Sequence, residues 1–97
     1  MSETSPSKLD QCPCCGCYTL PGRGDYDICP VCFWEDDNPR EAFGMPAPER
    51  PEGPNHVHLW QARQNYRRFG ASEQRLIQYV RPPRDGERPD SRPIGNE

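Results

Sequence analysis

Between Cys17 and Cys29 the chain alternates. Tyr18 and Leu20 interleave with Cys17 and Thr19, and Tyr26 and Ile28 flank Asp27. A period of two is the mark of a strand with one buried face. The stretch between them, residues 21–25 (PGRGD), is turn chemistry. The pattern therefore predicts a β-hairpin with strands at 17–20 and 26–29. Further on the period lengthens. Leu59, Ala62, Tyr66 and Phe69 recur at i, i+3, i+7 and i+10, which is one face of a helix over 59–69. His58 stands at the N-cap position. Gly70 follows where a left-handed residue ends a helix, and Arg67 and Arg68 sit in the last turn, where the helix dipole favours cations. A second short helical stretch is expected over 73–80, with Leu76, Ile77 and Val80 apolar, stopped by Pro82 and Pro83.

These elements divide the chain. Residues 1–10 form a polar tail, expected to be disordered. One domain spans 11–81: a cysteine hairpin at 11–37, a loop with five prolines at 38–54, and a helical part at 55–81. Residues 82–97 are Pro-rich and charged and are expected to be a second disordered tail. Composition makes the domain hard to stabilise. Leu, Ile, Val and Phe together are 13 of 97 residues, while Pro and Gly are 13 and 8. Chains with less than about a fifth of such apolar residues tend toward disorder, because burial cannot offset the lost conformational entropy. Something besides a hydrophobic core has to hold this one, and six cysteines are the candidate.

Residues 1–10 carry no apolar run to serve as a signal core, and no stretch is apolar enough to span a membrane. A reducing, cytoplasmic setting is expected, in which clustered cysteines bind metal rather than pair as disulfides. Two units repeat, Cys12-Pro13-Cys14-Cys15 and Cys29-Pro30-Val31-Cys32. Two cysteines two residues apart grip one ion from a tight turn. Proline fixes one backbone angle there, and Gly16 frees the backbone behind the second ligand. A hairpin between the units brings both to one place, so one structural zinc is expected at Cys12, Cys15, Cys29 and Cys32. Cys14 and Cys17 have the same spacing and can replace Cys12 and Cys15; a tetrahedral thiolate site also accepts iron. A second site from Cys14, Cys17, His56 and His58 is disfavoured because the two pairs interleave. A redox role for the Cys-x-x-Cys units is disfavoured because no βαβ pattern accompanies them.

Charge narrows the function classes. The net charge is −3, but residues 1–58 carry four basic and ten acidic side chains, and residues 59–97 carry eight arginines and five acidic groups. A strongly basic nucleic-acid binder would read otherwise. Phe33 and Trp34 are expected to cover the metal and the helix face. Glu35, Asp36 and Asp37 read as a solvated acidic turn, or as partners for Arg63, Arg67 and Arg68. No nucleophile–base set, phosphate-cradling loop or His-Glu-x-x-His motif is present, and four cysteines close a zinc shell, so no enzymatic activity is expected.

The run from Cys12 to Asp37, CPCCGCYTLPGRGDYDICPVCFWEDD, resembles the cysteine-rich CPCC family of small, mostly bacterial proteins, as do the LWQARQNYRRFG segment from Leu59 and the VRPP at Val80. The resemblance implies a zinc-binding domain with ligands mapping onto Cys12, Cys15, Cys29 and Cys32. The family commonly has an aromatic where Cys17 stands and Ser where His58 stands. Some members are associated with toxin-neutralising gene neighbourhoods. Together these readings give a small metal-stabilised α+β fold, a zinc-ribbon or knuckle-like β-hairpin with one or two short helices. Its expected role is a protein-interaction module that neutralises or regulates a partner, which an acidic surface suits when that partner is basic. The alternative is nucleic-acid binding through Arg63, Arg67 and Arg68, with Trp60 or Tyr66 stacking on bases.

Overall fold

The computed structural model describes residues 9–51 and 53–89. Two short strands, β1 (Asp10–Gln11) and β2 (Tyr18–Leu20), pair antiparallel, with Asp10 opposite Leu20 and Gln11 opposite Tyr18. The antiparallel pair is present and β2 lies where the alternation placed it, but its partner is not 26–29. That stretch runs back along 34–36 instead. The Cys29 N–H donates to Trp34 O (2.9 Å), Tyr26 N–H to Asp36 O (2.9 Å) and Asp36 N–H to Asp27 O (3.0 Å), and Ile28 bridges Glu35. The reason is local. Each Cys-Pro-x-Cys turn reverses the chain by itself, so its flanks are already neighbours and pair at a smaller loop-closure cost than two distant strands. The Tyr18 N–H is spent elsewhere, on Glu87 O (2.7 Å).

That bond anchors a segment expected to be a tail. Residues 82–89 are mostly exposed but pinned at one point: Glu87 is buried, Arg81 reaches its carboxylate with two nitrogens at 2.9 Å each, and the Arg84 N–H adds a third bond at 2.7 Å. Charge-assisted bonds here do the holding that apolar residues would do in a richer sequence. Residues 1–8 and 90–97, the rest of the two expected tails, lie outside the described residues.

Helix α1 (Leu59–Phe69) has the expected bounds. It buries Leu59 and Ala62, and Tyr66 packs half-buried against the core. Gly70 takes the left-handed conformation (φ 83°) and its N–H closes on Tyr66 O. The other end is held from a distance. His58 makes no side-chain cap; the Glu41 carboxylate accepts from the Leu59 N–H (3.1 Å) and the Trp60 N–H (3.2 Å). An anion at the positive end of the helix satisfies orphan amides and the dipole together. Glu41 sits on a 3₁₀ turn, Arg40–Phe43, inside the Pro-rich stretch read as irregular. The second helical stretch is also 3₁₀, Gln74–Tyr79; it buries Leu76, and Tyr79 stacks on Phe33 at 5.4 Å. No helix among the described residues is long and apolar enough to cross a membrane. Five of the ten buried residues of the core are cysteines, so whatever organises the cysteines organises the fold.

Candidate metal centre

The two turns present their sulfurs from nearly identical backbones. In the first, the Gly16 N–H returns to Cys12 O (2.8 Å) and the Cys12 N–H reaches Cys17 O (2.8 Å). In the second, Phe33 N–H returns to Cys29 O (2.7 Å) and Cys29 N–H reaches Trp34 O (2.9 Å). The residue after each second cysteine is left-handed, Gly16 at φ 82° and Phe33 at φ 67°. The C-terminal half ties both turns down at the same place. Arg63 Nε donates to Pro13 O (2.8 Å), and the Arg81 N–H donates to Pro30 O (3.2 Å).

The ligand atoms of Cys12, Cys15, Cys29 and Cys32 all lie within 4.8 Å of one another. Cys12 Sγ is 3.6 Å from Cys32 Sγ, and Cys15 Sγ is 3.7 Å from Cys29 Sγ. A tetrahedron with metal–sulfur bonds of about 2.3 Å has edges of about 3.8 Å, so the group fits a four-coordinate ion. These contacts are far longer than an S–S bond, and all six cysteines are free thiols. Cys14 and Cys17, which share the spacing of the first pair, are buried outside the four. Cys14 fills the place that Val31 fills in the second turn, and Cys17 the place of Trp34. Among the described residues no second group of three possible ligands forms; His56 and His58 lie beside Glu73 and Glu41 instead.

Hydrogen bonds from Cys12, Cys15 and Cys32 pull Cys29 far below the usual thiol value, while bonding with Cys12 first of all pushes Cys15 and Cys32 above it. A buried cluster arranged this way calls for a positive charge at its centre. Burial, followed by the negative field of the sulfurs, also holds the Tyr66 phenol well above its usual value.

Several contributors were not legible as such. Thr19 Oγ1 lies 3.0 Å from Cys29 Sγ, and the Cys17 N–H lies 3.4 Å from Cys15 Sγ. Thr19 shares the strand face of Cys17, which is the signal that could have found it. Asp36 is the larger correction. It is not in a solvated turn but fully buried, and its partner is Arg23 rather than a helix arginine. Asp36 Oδ2 accepts from Arg23 Nε (2.6 Å) and the Gly24 N–H (3.0 Å), and Oδ1 from the Asn38 N–H (3.0 Å). Burial alone would raise its pKa, but these donors hold it below the ordinary carboxylate range. The carboxylate thereby fixes the loop that returns the chain to the second turn. Asn55 braces the same arm, exchanging two hydrogen bonds with the backbone of Glu35 (2.7 and 3.0 Å) as a strand partner would.

A family model described as Cysteine-rich CPCC matches residues 10–87. The chain belongs to the cysteine-rich CPCC family. The match begins at β1 and ends at Glu87, so this CPCC domain takes in both turns, the helix and the segment that Glu87 pins down. No curated protein and no solved structure matches the chain.

Proposed function

We propose that the chain binds one structural zinc ion at Cys12, Cys15, Cys29 and Cys32. The convergence of four sulfurs within 4.8 Å, in a core that is half cysteine, carries this reading. Four thiolates fill a tetrahedral shell and leave no position for water or substrate, which supports a non-catalytic role. Free thiols at all six positions suit a reducing, cytoplasmic setting. The test is metal content and native mass of the purified protein, with thiols counted before and after denaturation. One zinc per chain and six reduced thiols are expected. Iron in its place would change the ion and keep the site; an apo protein with oxidised Cys12, Cys15, Cys29 or Cys32 would overturn it.

The domain then serves as a protein-interaction module that neutralises or regulates a partner. Residues 1–58 carry ten acidic side chains against four basic ones, and a zinc–tetrathiolate centre adds two negative charges. Such a surface suits a basic partner. Tyr26, Ile28, Phe43, Met45 and Trp60 offer exposed apolar anchors. Pull-down at physiological salt is the check, and recovery of no protein partner counts against the module. The nucleic-acid alternative has fewer groups to draw on than the sequence offered, since Arg63 is engaged on Pro13 O and Tyr66 packs on the core.

A further inference from the structure

Three buried side-chain polar atoms among the described residues have no hydrogen-bond partner: Trp34 Nε1, His58 Nδ1 and Ser72 Oγ. Two of the three belong to residues that line one cavity at the start of α1, Trp34 and His58. Trp34 is 2% exposed. His58 Nδ1 stands 4.0 Å from Glu41 Oε1, too far for a hydrogen bond. A buried polar group without a partner is costly, so two at one cavity ask for an occupant. The cavity has about 60 Å³, several times the roughly 10–15 Å³ that a single water needs.

The lining selects the chemistry of that occupant. An indole N–H only donates, so the occupant brings an acceptor rather than a positive charge. Asp37 and Glu41 line the cavity against one guanidinium, Arg40, so the balance of charge disfavours an anion. Glu41 already accepts from the Leu59 and Trp60 N–H groups, and each of its oxygens keeps a lone pair for another donor. A neutral His58 donates or accepts at Nδ1 according to its tautomer. The rest of the wall includes Pro39, Pro48 and Pro51, apolar rings that suit a short carbon stem. We propose that this cavity binds a primary carboxamide. The carbonyl oxygen accepts from Trp34 Nε1, the two N–H groups donate to His58 Nδ1 and the Glu41 carboxylate, and the stem lies against the prolines. Both nitrogens are shielded from bulk water, so solvent does not compete for the bonds formed there. A free small amide and the side chain of a glutamine or asparagine in a peptide present the same group. The site is separate from the four-sulfur group and does not rest on which ion that group holds.

The experiment titrates the full chain, as purified, with acetamide and follows its two indole N–H signals in proton–nitrogen correlation spectra. Trp60→Phe, at an exposed ring, assigns the signals. The Trp34 signal should move downfield and saturate, while that of Trp60 stays in place. Acetate has the same shape but no N–H to donate, and should bind at least about tenfold more weakly. His58→Ala leaves α1 without losing a side-chain cap and should weaken acetamide about tenfold. Two tripeptides separate the sources. Gly-Gln-Gly binding more tightly than acetamide, with Gly-Ala-Gly silent, identifies a peptide side chain. A response to acetamide and to neither tripeptide identifies a free small amide. An unmoved Trp34 signal, a response at Trp60 alone, acetate as good as acetamide, Gly-Ala-Gly as good as Gly-Gln-Gly, or unchanged affinity in His58→Ala would each overturn the site.

Discussion

The first turn, from Cys12 to Cys17, and the second, from Cys29 to Trp34, close the same pair of backbone hydrogen bonds on different side chains. Gly16, Cys14 and Cys17 in the first correspond to Phe33, Val31 and Trp34 in the second. Backbone geometry is therefore set by the ligand pair and its proline, and burial by what fills the remaining places. The second turn is sealed: Val31, Cys32 and Trp34 are at most 2% exposed. The first is sealed on one side and open at Cys15. Their supports differ too. The arm from residue 26 to 36 is locked by the buried Asp36 and by Asn55, while the arm from residue 10 to 20 leans on Glu87 of a distant segment. An ion held by Cys12, Cys15, Cys29 and Cys32 would join these two differently supported arms.

Removing the metal tests that picture most severely. A structural zinc would contribute on the order of 10 kcal/mol, as much as the whole stability of a typical small protein. Chelation should abolish the cooperative thermal transition followed by near-ultraviolet circular dichroism. Cys32→Ala should do the same at any zinc concentration. Cys15→Ala, at the open corner, should retain a weakened transition that rises with added zinc. Equal behaviour of the two variants would break the distinction between a sealed and an open turn.

The places of Cys17 and Trp34 come next. Trp34→Ala removes a large buried ring and should cost about 3–5 kcal/mol. Cys17→Ala removes a single sulfur from an equally buried position and should cost about 1 kcal/mol. Urea melts of the zinc-loaded proteins give both. A Cys17 effect as large as that of Trp34 would show that the first turn depends on its filler as much as the second does.

Asp36 tests the locked arm. Asp36→Asn keeps the shape but leaves the Arg23 and Gly24 donors without a carboxylate and should cost about 2 kcal/mol. The sign with pH follows from the direction of its shift. The folded pKa is depressed, so its contribution is complete above the unfolded value of about 3.9 and is lost as pH falls through the lower folded one. The difference between parent and variant in urea melts should therefore stay flat from about pH 8 to pH 5, while metal binding shifts both alike. A decline of that difference inside the window would assign the effect to another group.

The sequence made some of this plain and hid the rest for physical reasons. Helix α1 was legible because one face, one glycine and two arginines all agree on its limits. The cysteine group was legible because two ligands two residues apart need no tertiary information to find each other. Strand pairing was not, because alternation at 17–20 and 26–29 says which face is buried and nothing about which neighbour is closer. The roles of Asp36, Glu41 and Glu87 were hidden for a related reason. A carboxylate in a charged run looks solvated until the fold places amides and a guanidinium around it. In a chain short of apolar residues, such acceptors carry a share of the holding that hydropathy patterns cannot reveal.

The smallest effect is the most discriminating, because it concerns backbone alone. Gly16 and Phe33 hold the same left-handed conformation, which costs a residue with a side chain about 1–2 kcal/mol and glycine almost nothing. Phe33 offsets that cost by stacking on Tyr79, an interaction of about 0.5–1.5 kcal/mol. Phe33→Ala keeps the strain and loses the ring, whereas Phe33→Gly loses both. The glycine variant should therefore be the more stable of the two, by about 1 kcal/mol, and should lie close to the parent. Gly16→Ala should lose about the same amount, since a side chain there must also take the left-handed backbone (φ 82°). Alanine more stable than glycine at position 33 would mean that the ring, not the turn, dictates the conformation there, and that the two turns share a shape without sharing its cause.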